Sequence, residues 1–223
     1  YPWQNSWGFS TRSIGGLIMA QSDDQGLILP PKIAPVQVVI IPIFKGTKDK
    51  INKYCKDLVE KLSGLRVEID LKEEESAGFK FNKWEVKGVP LRIEVGQKEI
   101  ESETVTVVRR DNSRKEVMKL GSLKEVIEKL LEKIQDEAYM RHKKFTVENT
   151  REVDTYDEFK EIMQTKRGFL KSFWCENAEC EKKIKEESKA TTRCLPLDAK
   201  EEKGQCIYCG KKAKHRWLFA QSY

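Results

Sequence analysis

Four of the six cysteines stand in two close pairs near one end of the chain. Cys175 and Cys180 form C-x4-C, Cys206 and Cys209 form C-x2-C, and 25 residues separate the pairs. Four thiolates in this arrangement can close a tetrahedral sphere around Zn²⁺, with each sulfur about 2.3 Å from the metal. In Cys-Ile-Tyr-Cys-Gly, Gly210 lets the backbone bend so that its N–H groups face sulfur. Four sulfurs leave no open coordination position, so the expected metal is structural. His215 is a fifth candidate, but beside four cysteines it reads as a surface histidine. Cys55 and Cys194 stand alone, and no secretory segment precedes them, which argues against a disulfide framework. Reduced, buried cysteines or disulfides are the competing reading of the two pairs.

A second place for chemistry is "SWGFSTRSIGG", where small residues surround Arg12. A guanidinium at a strand-to-helix junction can stack on an adenine ring and reach phosphate oxygens. The bland alternative is an arginine paired with a surface carboxylate. Hydrolase chemistry is poorly supported, because the only histidines are His142 and His215 and neither lies near G-x-S-x-G. A P-loop is absent: Gly204 and Gly210 are one residue too far apart, and neither serine nor threonine follows Lys211. The net charge of +6, from 42 basic and 36 acidic residues, permits nucleic-acid binding without demanding it.

These groups need a scaffold, and the composition is that of a globular one, with 39% hydrophobic and 35% charged residues. No apolar run is long enough to span a membrane. The chain opens at Tyr1 without a leader pattern, so it is expected to be a fragment of something longer. Three parts are expected, at 1–35, 36–150 and 151–223. The first ends at the proline-rich "LPPKIAP". In the second, "VQVVII" reads as a central strand ended by Pro42. Ile51, Tyr54, Cys55, Leu58, Val59 and Leu62 then share a helical face, between Thr47 as N-cap and Gly64 as stop. "RVEIDL" and "LRIEV" alternate as half-buried strands, with Val67, Ile69 and Leu71, then Leu91, Ile93 and Val95, facing inward. "TVTVV" is a further strand. Ser122 and Glu125 read as a capping box for a long helix that buries Leu123, Val126, Ile127, Leu130, Leu131, Ile134 and Ala138. Such alternation predicts a layered α/β domain with a largely buried sheet. "KEEES" reads as a solvated loop. In the third part a helix over "TYDEFKEIM", the apolar run "GFLKSFWC" and a terminal strand "RWLFAQSY" flank the cysteines. About 70 residues is marginal for a self-sufficient core, which a metal would relieve.

The stretch "SWGFSTRSIGGLIMAQSDDQGLILPPKIAPVQVVIIPI" resembles the third signature motif of class II aminoacyl-tRNA synthetases. More narrowly, it resembles prolyl-tRNA synthetases of the archaeal and eukaryotic type, which is also found in some bacteria. The resemblance continues through "GFKFNKWEVKGVPLRIEVGQKE", "TYDEFKE", "ATTRCLPLD" and "LFAQSY". It implies an α/β chain made of the end of a class II catalytic domain, a mixed-sheet anticodon-binding domain and a small zinc-containing α/β domain. Motifs 1 and 2 would lie upstream, so this part alone would be inactive. By position, Arg12 would be the catalytic arginine on ATP, with Ser10 beside it on the nucleotide, and Ser6, Trp7 and Gly8 would line the proline side. Glu85, Arg92 and Lys98 would read the guanines of the proline anticodon, a carboxylate accepting from N1–H and N2–H and a cation donating to O6 and N7. Glu94, on the strand of Arg92, reads as an ordinary ion pair. The α-carboxylate of Tyr223 would turn toward the active site. The Gln21-Ser22 pair departs from the usual histidine followed by glycine or serine, and Gln97 replaces a proline. The intact protein would be a cytoplasmic homodimeric ligase using ATP, Mg²⁺, proline and tRNA(Pro). The alternatives are a tRNA-binding or scaffolding module without catalysis, or a related class IIa synthetase.

Overall fold

The computed structural model describes the chain except residues 1, 3, 45–47 and 223. Thr47, the expected helix cap, and Tyr223, with its carboxylate, therefore lie outside the described residues. The described chain forms two compact units, Tyr1–Tyr139 and Met140–Tyr223.

The first unit opens with irregular chain and α1 (Arg12–Gln21), none of whose residues is buried. A five-stranded sheet follows. In chain order its unit contains β1 (Val38–Pro42), α2 (Lys48–Lys61), β2 (Val67–Ile69), α3 (Ala77–Val86), β3 (Leu91–Val95), α4 (Gln97–Glu101), β4 (Thr104–Arg109) and β5 (Lys115–Lys119), before α5 (Leu123–Glu148). The sheet order is β2-β1-β3-β4-β5. The first three strands run parallel, with Val38 beside both Val67 and Leu91, and β4 and β5 are added antiparallel. One face carries Val38, Ile40, Leu91, Ile93, Val105 and Val107, which pack with the apolar stripes of α2 and α5. The other face carries Val39 and Ile41, packed with Trp84 of α3 and with Val89. Helices on both faces are what a largely parallel sheet requires.

Three expectations are corrected here. The strand β3 is buried along its whole length rather than on alternate residues, because helices cover both faces. Past β2 the expected burial inverts: Asp70 is buried and Leu71 exposed, because Asp70, still bonded through its N–H to Ile40 O at 3.0 Å, meets Trp84 Nε1 at 2.7 Å under α3, which covers the second face. A 3-10 turn, Leu120–Ser122, leads into α5 in place of a capping box, and Glu125 pairs with Lys129 at 2.6 Å. The other anticipated elements form, with Gly64 at φ +94° just beyond α2 and β1 ending at Pro42.

The second unit contains β6 (Thr150–Glu152), α6 (Tyr156–Gln164), β7 (Phe169–Phe173), α7 (Ala178–Ser188), β8 (Ala190–Cys194), the short hairpin of β9 (Gly204–Gln205) and β10 (Lys212–Ala213), and β11 (Arg216–Gln221). Its main sheet runs β6-β7-β11-β8. Phe159, Met163, Leu170, Ile184 and Phe219 form its core, with the rings of Phe159 and Phe219 edge-to-face at 5.4 Å. Asn177 caps α7 by accepting from the Glu179 N–H at 2.8 Å, as expected of an N-cap asparagine.

Candidate functional site

At the end of α3 and the middle of β3, two of the anticipated residues meet. Arg92 Nη1 lies 2.6 Å from Glu85 Oε1, and Arg92 Nε donates to Glu94 Oε1 at 3.0 Å. The guanidinium also lies over Phe81, 4.2 Å from the ring centroid, a favourable cation–π geometry. Glu94 is shared with Lys115 at 3.4 Å, so it is the ion pair the strand pattern suggested. The Arg92 side chain is 11% exposed and that of Glu85 33%. The carboxylate therefore presents an open edge beside a cation held in place by packing. An arginine fork with an adjacent carboxylate can match the donor and acceptor edge of a planar base.

A small cleft at this place is lined by Trp84, Glu85, Val89, Arg92, Arg109 and Arg110. Lys98 is exposed on α4 and is not among the residues lining the cleft. Sequence reasoning missed Phe81, Arg109 and Arg110. The signal for the two arginines was "VVRRD", where Arg109 ends β4 and Arg110 begins the turn, and both are buried.

The residues anticipated around a nucleotide are less closely gathered. Arg12 opens α1 and is exposed, and Ser10 accepts from both the backbone N–H and the hydroxyl of Ser13, at 3.1 and 2.6 Å. Among the described residues no strand precedes α1, which corrects the expected strand-to-helix junction. Ser6, Trp7 and Gly8 lie in exposed irregular chain, with Trp7 94% exposed. Arg12 has no ion pair among the described residues.

The four clustered cysteines converge fully. All four sulfurs lie within 4.8 Å of one another. Cys175 Sγ is 3.6 Å from Cys180 Sγ and 3.7 Å from Cys209 Sγ. A tetrahedron with 2.3 Å metal–sulfur bonds has edges of about 3.8 Å, so the donor set fits a tetrahedral ion. The pair on the C-x4-C side comes from the end of β7 and the first turn of α7, and Cys206 and Cys209 from the turn joining β9 to β10. Backbone N–H groups of Asn177 and Lys211 point at Cys175 and Cys209, the outer support expected of metal-bound thiolates. Burial pushes the Cys180 thiol up to about 12. At Cys209 burial is outweighed by the Lys211 N–H and the neighbouring thiols, and the value falls to about 7. All six cysteines are free, and His215 is directed to Lys200 O at 3.3 Å.

Two family descriptions match the chain: an anticodon binding domain over residues 37–130, and "Prolyl-tRNA synthetase, C-terminal" over residues 156–223. Proline–tRNA ligase 2 of Clostridioides difficile is 45% identical over 225 residues, covering 100% of this chain and 46% of that protein. Proline–tRNA ligase of Alkaliphilus oremlandii is 44% identical over 226 residues, with the same coverage. Prolyl-tRNA synthetase of Cryptosporidium parvum, solved with halofuginone and AMPPNP, superposes with a TM-score of 0.90 at 40% identity, over 96% of this chain and 45% of that one. The same enzyme with L-proline and AMP gives 0.88 at 41% identity. The chain thus spans about half the length of the relatives it matches. Among the described residues no helix is long and apolar enough to cross a membrane.

Proposed function

Because this chain corresponds along its length to the C-terminal part of the prolyl-tRNA synthetase family, we propose that the intact protein activates proline with ATP and Mg²⁺ and transfers it to tRNA(Pro). In this reading residues 1–35 end the catalytic domain, 36–150 bind the anticodon and 151–223 form a zinc-stabilised domain. A cytoplasmic, homodimeric enzyme of the archaeal and eukaryotic type completes the proposal.

The observation that carries the anticodon assignment is the Glu85–Arg92 pair, 2.6 Å apart at the edge of a cleft. Glu85 accepts from guanine N1–H and N2–H while Arg92 donates to O6 and N7, and splayed loop bases are the usual targets of such readout. Lys98, exposed on α4, is assigned to the same anticodon through a longer reach. Arg12 grips ATP and offsets charge as pyrophosphate leaves, with Ser10 on the nucleotide and Ser6, Trp7 and Gly8 on the proline side. The L-proline and AMP of the related structure support those substrates. Cys175, Cys180, Cys206 and Cys209 hold the Zn²⁺, whose bond energy would secure the fold of the domain.

The test uses the full-length protein. Arg12→Ala should slow proline-dependent ATP–pyrophosphate exchange at least 100-fold, on the order of one lost transition-state donor, and leave tRNA binding intact. Arg92→Ala should raise the KM for tRNA(Pro) about tenfold or more and spare the exchange reaction. A full-length protein without proline-dependent exchange, or an Arg92→Ala variant with unchanged tRNA kinetics, would overturn the respective assignment.

A further inference from the structure

Arg110, the first residue of the turn after β4, is engaged on both sides. Its guanidinium is 4% exposed and grips Asp23 through two parallel bonds, Nη1 to Oδ2 at 2.9 Å and Nη2 to Oδ1 at 2.6 Å. Its Nε donates to the backbone carbonyl of Glu85 at 3.0 Å. Asp23 follows α1 by two residues, whereas Glu85 is the penultimate residue of α3. One planar cation therefore joins the segment behind α1 to the residue that faces Arg92.

The surrounding backbone is built for the same contact. Leu27 N–H donates to Val86 O at 3.1 Å, and Leu29 N–H to Gly88 O at 3.2 Å. Gly26 adopts φ +137°, and a Cβ there would lie 2.5 Å from Val86 Cα; at Gly88, with φ +73°, one would lie 2.6 Å from Leu27 Cβ. The two chains approach more closely than side chains permit, and glycine is the residue that allows it. The end of α3 is thus clamped from one side by residues 23–29 and from the other by the packing of Arg92 on Phe81.

We infer that Arg110, anchored by Asp23, is a positioning residue for anticodon reading: it fixes the last turn of α3 so that the Glu85 carboxylate meets a guanine edge in one orientation. Arg110 acts through the backbone of Glu85 and touches no base. A bidentate arginine–carboxylate pair suits this task because it fixes a plane as well as a distance. Base discrimination depends on such placement, since a carboxylate free to shift can accept from other donor edges. The inference rests on the anticodon reading proposed above.

The experiment measures aminoacylation by the full-length protein on transcribed tRNA(Pro), and on transcripts with adenine in place of guanine at the second or third anticodon position. Three proteins are compared: wild type, Asp23→Asn and Arg92→Ala. Asp23 is 43% exposed, so its isosteric amide leaves the core intact; thermal denaturation monitors the fold. Asp23→Asn should lower the guanine-over-adenine preference in kcat/KM about tenfold, raise the KM for cognate tRNA, lower Tm because Arg110 loses its carboxylate partner, and leave proline-dependent exchange unchanged. Asp23→Glu should restore part of the preference. A purely structural role would lower Tm and both activities together while keeping the preference. An unchanged preference in Asp23→Asn, with Arg92→Ala impaired, would overturn this inference alone. An unimpaired Arg92→Ala would remove the anticodon site and the inference with it.

Discussion

A single buried carboxylate decides much of the local structure at the end of β2. Asp70 accepts from Trp84 Nε1, pairs with Lys83, and lies 3.9 Å from the ammonium of Lys80, which is itself 1% exposed. Burial raises the Asp70 carboxyl, and the hydrogen bonds from Lys83 and Trp84 outweigh it, leaving a net shift downward. Lys80 is held below the ordinary ammonium value by burial. Removing the carboxylate strands a buried cation, whereas removing Lys80 leaves Asp70 with Lys83 and Trp84. Asp70→Ala should therefore cost about 3 kcal/mol or more, and Lys80→Met clearly less, in denaturant unfolding at neutral pH. Equal losses would show that Lys80 does not depend on Asp70. Because the folded Asp70 titrates below its unfolded value, its contribution is complete above the ordinary carboxylate value of about 4 and is lost as pH falls through the lower folded one. Asp70 was misread in the sequence for an identifiable reason. The period-two pattern of "RVEIDL" assumes that one face of the strand meets water, and only the tertiary neighbours Lys80, Lys83 and Trp84 explain why Asp70 is buried.

Among the elements, α3 connects the most. It buries Trp84 against β1, presents Phe81 and Glu85 to Arg92, and receives residues 26–29 along its final turn. Nothing in "AGFKFNKWEV" marks a helix by periodicity: it contains a glycine, and its apolar residues are spread around the axis because the helix meets neighbours on more than one side. The amphipathic α2 and α5, and the apolar β1 and β4, were legible because each has one buried stripe or an unbroken apolar run. The polar edge strand β5, mostly exposed, and the two-residue strands β9 and β10 carry too little hydrophobic pattern to be read. The candidate sites divided similarly. Cysteine spacing is a local code that survives without knowledge of the fold, whereas the Arg110–Asp23 pair joins residues 87 positions apart. The docking of residues 26–29 gives an element-scale prediction. Gly26→Ala places a methyl 2.5 Å from Val86 Cα at a strained φ of +137°, so it should destabilise the segment by about 1–3 kcal/mol. Hydrogen exchange would detect this as lost protection at the Leu27 and Leu29 amides, with the sheet amides unchanged. Retained protection would mean that the close approach is not what holds the segment.

At the scale of the whole molecule, the two units are stabilised by different means. The first has a large two-faced core, with fully buried residues on both sides of the β1–β3 ladder. The second has a smaller core that runs through Phe159, Leu170 and Phe219 to Cys206 and Ile207. Around its cysteines, four thiolates would crowd within 4.8 Å of one another. Without a cation, four negative charges at that spacing would repel; with Zn²⁺ the cluster becomes a cross-link between the start of α7 and the β9–β10 turn. Charge adds to the demand, since residues 140–223 hold 19 basic and 14 acidic side chains, nearly all of the chain's net excess. A strong chelator should therefore lower the melting transition of Met140–Tyr223 and leave that of Tyr1–Tyr139 in place. Calorimetry with metal analysis of the same sample checks this, and Cys209→Ser should reproduce the chelated state without any chelator. If the metal is removed and neither transition moves, the four sulfurs do not secure the fold, and the core around Phe159 and Phe219 sustains the unit by itself.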